Sequence, residues 1–182
     1  MPFPLTTARL LIDPLAEPDV ADFVAYRQFP EVARWQSWNP AYSVADARRL
    51  IAGQPLSGLP EAGSWVQLGV RDHHRRILYG DVGVHRLETQ PATFEIGMTL
   101  APAAQGQGLG SEAVARVLDF LFDEAGAHRI VAFCDTRNTA SARLLRRTGM
   151  RQESSQVEAD FFKGEWTTLD GFAVLARERG EH

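Results

Sequence analysis

The stretch that most constrains this chain runs from Glu95 to Glu112. It begins with alternation: Phe94, Ile96, Met98 and Leu100 fall on one face of a strand, and Glu95, Gly97 and Thr99 on the other. Pro102 ends the strand. Glycines follow at 106, 108 and 110, and Val114, Val117, Leu118, Leu121 and Phe122 then take up helical spacing. Glycines at alternate positions let a ligand approach the backbone closely. The helix start behind them offers unpaired N–H groups and a partial positive charge. Together these features make a pyrophosphate site. The spacing Gln105-x-x-Gly108-x-Gly110 is neither the GxGxxG fingerprint nor a P-loop, which needs GK[ST].

Around this unit the chain alternates elements. Ala8 to Leu15 reads as a strand closed by Pro14, and an apolar stripe of Val20, Phe23 and Val24 reads as a helix halted by Pro30. Ser43 and Asp46 make a capping arrangement for a helix over Val44 to Ile51. Gly53, Pro55, Gly58, Pro60 and Gly63 mark an exposed, mobile loop. Trp65 to Val70 and Ile77 to Leu87 form a hairpin across the charged turn Arg71 to Arg76, with Asp81, Gly83 and His85 sharing a parity. After the glycine-led helix, Arg129 to Cys134 suits a buried parallel strand, and Asn138 to Thr148 a short helix. Met150 to Glu158 and Thr167 to Ala176 close the chain as an antiparallel pair, and Arg177 to His182 is a tail that frays. The order gives an α+β fold with one βαβ unit, in a single domain over residues 1–182.

Composition excludes several classes. The 182 residues include 45% hydrophobic ones, enough for a sizeable core, yet no apolar run approaches the ~20 residues of a membrane helix. Cys134 is the sole cysteine, so no internal disulfide can form, and no signal peptide is apparent; a cytoplasmic protein is expected. A net charge of −4 argues against a nucleic-acid partner. No His or Cys spacing matches a metal site.

The glycine segment resembles the acetyl-coenzyme A motif of the GNAT N-acetyltransferases, Arg/Gln-x-x-Gly-x-Gly/Ala, at Gln105, Gly108 and Gly110. A second family segment is matched by Asn138, Ser141 and the helix that ends at Gly149-Met150. Thr7 to Leu15 and Arg34 to Trp38 resemble the subgroup that includes the ribosomal-protein N-terminal acetyltransferases. The resemblance implies a mixed, mostly antiparallel central sheet of about seven strands with helices on both faces. It also implies a gap between the fourth and fifth strands, with acetyl-CoA as co-substrate and an amine as acceptor.

Acetyl transfer needs a grip on the cofactor, a base for the amine, a stabilised oxyanion and an acid for the thiolate. The resemblance assigns the grip to Gln105, Gly106, Gln107, Gly108, Leu109, Gly110 and Ser111, with the backbone of Met98, Thr99 and Leu100 along the pantetheine arm. Gln at the first motif position gives no charge to a phosphate. Glu95 is the candidate base, with Asp81 and His85 as alternatives on the neighbouring strand. Asn138 and Ser141 share a helix face; the resemblance implies the Asn near the pantetheine and a Ser, or a Tyr further on, near the sulfur, and as this helix has no Tyr, Ser141 is the matching candidate acid, with an N-cap role for Asn138 as the structural alternative. Trp35, Trp38 and His85 are the candidate acceptor contacts, the tryptophans otherwise serving as core anchors. The acceptor is a small-molecule amine or a protein N-terminus, and the protein is expected to work as a monomer or homodimer. Two rivals remain: an inactive acyl-CoA-binding module of the same fold, and a nucleotide binder, against which the missing P-loop lysine argues.

Overall fold

The computed structural model describes residues 3–55 and 59–179. Its strands are β1 (Leu5–Thr6), β2 (Leu11–Pro14), β3 (Trp65–Arg71), β4 (Leu78–Arg86), β5 (Thr93–Leu100), β6 (Arg129–Asp135), β7 (Arg151–Phe162) and β8 (Glu165–Leu175). They form one sheet in the order β1-β2-β3-β4-β5-β6-β8-β7. Every neighbouring pair is antiparallel except β5 and β6, which the βαβ crossover makes parallel.

Among the described residues the sheet has eight strands rather than about seven, because Leu5–Thr6 forms a short strand ahead of the expected Ala8 to Leu15, which itself shortens to Leu11–Pro14. The Thr7 hydroxyl accepts from Leu10 N–H at 2.9 Å and from Arg9 N–H at 3.3 Å, and Thr7 N–H donates to the Leu10 carbonyl at 2.9 Å. A threonine turned back on its own backbone makes a local turn. Leu5 to Pro14 becomes the β1–β2 hairpin, with Arg9 at its bend. The expected charged turn also begins one residue later: Arg71 ends β3, buried in ion pairs with Asp13 and Asp19.

Among the described residues, five α-helices cover the sheet: α1 (Val20–Arg27), α2 (Pro30–Ala33), α3 (Val44–Ala52), α4 (Leu109–Asp123) and α5 (Thr139–Arg147). The expected cap of α3 is present, with Ser43 N–H donating to the Asp46 carboxylate at 2.9 Å and Asp46 N–H to the Ser43 hydroxyl at 3.2 Å. On one face, Val114, Val117 and Leu121 of α4 pack with Phe94, Ile96 and Ile130 of the sheet. On the other, Val20, Phe23 and Val24 of α1 pack with Val32, Ala47 and Leu78. Such two-sided cover buries the central strands. Part of the Gly53 to Gly63 loop and the end of the tail lie outside the described residues. The described Gln54 is held, its side chain accepting from Gln67 N–H. Among the described residues, no helix is long and apolar enough to cross a membrane.

The parallel ladder is short. Thr93, Phe94 and Glu95 pair with Arg129, Ile130 and Val131, and there it stops, while β6 continues along β8 to Asp135. From Ile96 onward β5 and β6 therefore splay apart. Leu87 N–H donates to the Thr93 carbonyl and Ala101 N–H to the Tyr79 carbonyl, so the odd-numbered residues of β5 aim their backbone at β4. The alternation leaves the C=O of Ile96 and the N–H and C=O groups of Met98 and Leu100 facing the open side. At the far end of the sheet the β7–β8 hairpin returns to the helices, where Lys163 Nζ donates to the carbonyls of Ala33 and Trp38, both at 2.6 Å.

Candidate active site

The splay opens a cleft of about 480 Å³. Its walls are the free edge of β5, the residues of β6 from Ala132 to Asp135, the head of α4, one face of α5, and Trp35 just beyond α2. Gly108 caps α4 with φ +77°, a left-handed backbone that a Cβ would strain, and no side chain occupies the cap. The first helical bond reaching back is Glu112 N–H to the Gly108 carbonyl at 3.1 Å, so the amides of Leu109, Gly110 and Ser111 lack helical partners. Gly110 sits where a Cβ would stand 2.8 Å from Leu144 Cδ1 and 3.1 Å from Leu100 Cδ1, so glycine there lets helix, strand and α5 converge at the cleft. An open strand edge running toward uncapped amides suits an extended amide chain that ends in a diphosphate.

The motif residues divide. Gln105, Gly106, Gly108, Leu109, Gly110 and Ser111 line the cleft. Gln107 does not; its side chain donates to the Ala103 carbonyl at 2.6 Å, and its own carbonyl accepts from Arg9 Nη1 at 3.0 Å. Met98, Thr99 and Leu100 line it too, but Thr99 turns its backbone to β4, so Met98 and Leu100 present the free edge. Gln105 Nε2 already donates to the Leu100 carbonyl at 3.2 Å.

Across the cleft, Asn138 is the N-cap of α5, its Oδ1 accepting from Ser141 N–H at 3.1 Å, and both residues line the cavity. The cap and the cleft roles thus coincide. Burial pushes the Cys134 thiol up from its ordinary pKa, with the neighbouring Ser141 hydroxyl pulling the other way. Cys134 lies at the cleft wall rather than wholly in the core.

Glu95 and His85 face each other across β4 and β5, with His85 Nδ1 3.4 Å from Glu95 Oε2. They stand on the face opposite α4, one residue before the cleft begins at Ile96. Trp65, next in the same cross-strand row, stacks on His85 with ring centroids 4.7 Å apart and planes 12° from parallel. In the following row the β5 position is open: a Cβ at Gly97 would meet nothing within 4 Å. Asp81, the other candidate base, is 2% exposed. Its carboxylate accepts from the Tyr26 hydroxyl and pairs with Arg27 at 3.5 Å; burial lifts its carboxyl above the usual range, with Arg27 and Tyr26 pulling the other way. A buried group with fixed partners cannot take a proton from a substrate, which rules Asp81 out.

The two tryptophans part company. Trp35 lines the cleft, with the Arg34 guanidinium 4.6 Å and the Arg137 guanidinium 5.9 Å from its ring. Trp38 does not reach it. Trp38 lies 3.6 Å from the buried Arg27 guanidinium and donates Nε1–H to the Arg27 carbonyl at 3.2 Å, so its expected acceptor role gives way to that of a core anchor.

Sequence reasoning missed Trp65, Arg9 and the pair Arg143 and Arg147, which line the mouth of the cleft. The i, i+4 spacing of the two arginines on α5 was a visible signal for the last pair. Register supplies Trp65, and nothing local to Arg9 announces its partner 103 residues away. Among the described residues, no cluster could hold a metal ion.

Comparison with known proteins agrees with this architecture. The model of the acetyltransferase (GNAT) domain matches residues 9–151. The uncharacterized N-acetyltransferase p20 of Bacillus licheniformis is 26% identical over 174 residues, covering 96% of this chain and 97% of its own. The spermidine N-acetyltransferase of Vibrio cholerae, solved with CoA and spermine, superposes with a TM-score of 0.81 at 19% identity, over 94% of this chain and 98% of that one. RimL, a ribosomal L7/L12 alpha-N-protein acetyltransferase solved with coenzyme A, gives 0.80 at 19%, over 93% and 95%. At that identity the two structures establish the fold alone. With the domain match spanning most of its length, the chain belongs to the GNAT family of acetyl-CoA-dependent N-acetyltransferases.

Proposed function

We propose that acetyl-CoA lies along the free edge of β5 with its pyrophosphate on the amides that open α4, and that Glu95 takes the proton from a primary amine arriving over Gly97. The observation that carries this reading is the end of the β5–β6 ladder at Glu95 and Val131. It puts the first unpaired edge of β5 directly beside a carboxylate.

Bound there, acetyl-CoA supplies an activated thioester. The chain's residues then have separate tasks. Met98 and Leu100 offer backbone groups to the pantetheine amides, and an edge N–H offers a donor to the oxygen that becomes charged. Glu95, 27% exposed at its side chain, is open to a substrate as Asp81 is not. His85 is placed 3.4 Å from it to hold the carboxylate and relay the proton outward. Ser141, on the opposite wall, is the hydroxyl positioned to return a proton to the leaving sulfur. Trp35, at the mouth, gives the acceptor an apolar contact.

The acceptor is a primary amine, on a small molecule or a peptide N-terminus. The spermidine enzyme and RimL, two relatives of this fold, act on one of each. We read residues 1–182 as one domain acting in the cytoplasm, which the single continuous sheet and the unpaired Cys134 support.

Thermal unfolding with acetyl-CoA, CoA and ATP, each titrated separately, tests the cofactor site. A ligand at 100 times its dissociation constant adds about 2.7 kcal/mol to folded-state stability. Both CoA forms should raise the midpoint and ATP should not. Thiol release from acetyl-CoA with spermidine and with a short peptide of free N-terminus then tests the acceptor. No CoA-dependent rise, or release with neither amine, refutes the reading.

A further inference from the structure

We propose that Arg9, at the bend of the β1–β2 hairpin, is a positioning residue for the cofactor's pyrophosphate. It neutralises Glu112 at the head of α4 and fixes the carbonyl that precedes the glycine cap. The inference rests on the placement of the pyrophosphate at that helix start.

Glu112 poses a problem for such a site. It lies in the first turn of α4, within a few ångströms of the three amides left for the ligand. A carboxylate there suits a bare helix, but it repels a diphosphate. The structure pairs that charge at both carboxylate oxygens. Arg9 Nε and Nη2 both lie 2.6 Å from Glu112 Oε2, while Oε1 accepts from the Thr7 hydroxyl and from Arg9 N–H at 3.1 Å. Burial raises the Glu112 carboxyl, but the bonds from Thr7 and Arg9 outweigh it and hold the pKa below the usual carboxylate range. The same guanidinium reaches the loop, where Arg9 Nη1 donates to the Gln107 carbonyl at 3.0 Å. A peptide unit held by its oxygen cannot rotate, and the next residue is the left-handed Gly108. The motif itself supplies no cation, since Gln105 is neutral and engaged with Leu100. Arg9 is half exposed at its side chain, so losing its ion pair costs the fold little.

The test is calorimetric titration of CoA into the wild type, Arg9→Ala, Glu112→Gln, the double variant and Gly108→Val. Arg9→Ala should weaken CoA about tenfold, the scale of one charge at a helix terminus, with an unchanged melting temperature. Glu112→Gln should bind at least as tightly as the wild type. Adding Glu112→Gln to Arg9→Ala should recover half or more of the logarithmic loss, which a merely structural arginine would not allow. Wild-type affinity in Arg9→Ala, or no recovery in the double variant, overturns the proposal. Gly108→Val separates the two layers. If it binds CoA normally, the pyrophosphate is elsewhere and both readings fall. If it loses CoA while Arg9→Ala does not, only the role of Arg9 falls.

Discussion

Two carboxylates point from the same face of the central sheet, two residue rows apart, and their neighbours give them opposite work. Asp81 is sealed under α1, bound by Tyr26 and Arg27, with Arg27 itself packed against the rings of Phe23 and Trp38. Glu95 stands at the lip of the cleft with one imidazole beside it. The two share a face of the sheet, and their cover differs. A carboxylate that must gain and lose a proton needs a path to substrate and water, whereas one that anchors a buried guanidinium must be denied both.

Substitutions at the two sites would break or sharpen this contrast. The largest effect is expected from Glu95→Gln, with a fall in kcat of ~10²–10⁴-fold and an unchanged melting temperature. A rate within a few-fold of wild type would remove Glu95 from the chemistry. Asp81→Ala is the mirror image: it strands Arg27 in the core and should cost about 3–5 kcal/mol of stability, read by urea unfolding. Protein still folded at low temperature should turn over normally. If Asp81→Ala instead lost activity without losing stability, the division of labour would be reversed.

Trp65→Ala should have a smaller effect. Loss of the stack frees the His85 ring and should lower kcat by at most about tenfold, leaving the KM for acetyl-CoA unchanged. A change confined to the acetyl-CoA KM would contradict it. The smallest effect is a pH signature at Asp81. Burial favours its protonated form, so its contribution to stability is complete below the ordinary carboxylate value of 3.8 and is lost as pH rises through the higher folded value. Asp81→Asn cannot ionise and should therefore gain on the wild type as pH rises across that interval. A difference in urea midpoint that stays constant with pH would show an unperturbed carboxyl.

The sequence carried the cofactor half of the site better than the acceptor half, for a physical reason. The cofactor half is made of backbone, and backbone needs leave marks in the chain: glycine where φ is positive at 108, alternation along β5, an Asn at the head of α5. The acceptor half is made of side chains brought together by register. Parity correctly grouped Asp81, His85 and Glu95, but could not say that α1 lies over the first of them. Trp35 and Trp38 are three residues apart and chemically identical, and only packing against Arg27 separates them. The turn that delays the first expected strand to Leu11 was set by one hydroxyl, that of Thr7, which β-propensity does not anticipate.

The splay of β5 and β6 also confers leverage. The two halves of the sheet share only the three paired positions from Thr93 to Glu95. Within each half, neighbouring strands are joined by longer antiparallel ladders. Beyond Val131, β6 runs four more residues to Asp135, an arm of roughly 13 Å. A rotation of about 5° at the vertex therefore moves its far end by ~1 Å, with no sheet hydrogen bond broken. The resistance comes from elsewhere: the crossing of α4 and α5 near Gly110, and the Lys163 ammonium moored to two carbonyls on the other side. The angle of the jaw is thus set by a handful of side chains, and these can change without redrawing the fold.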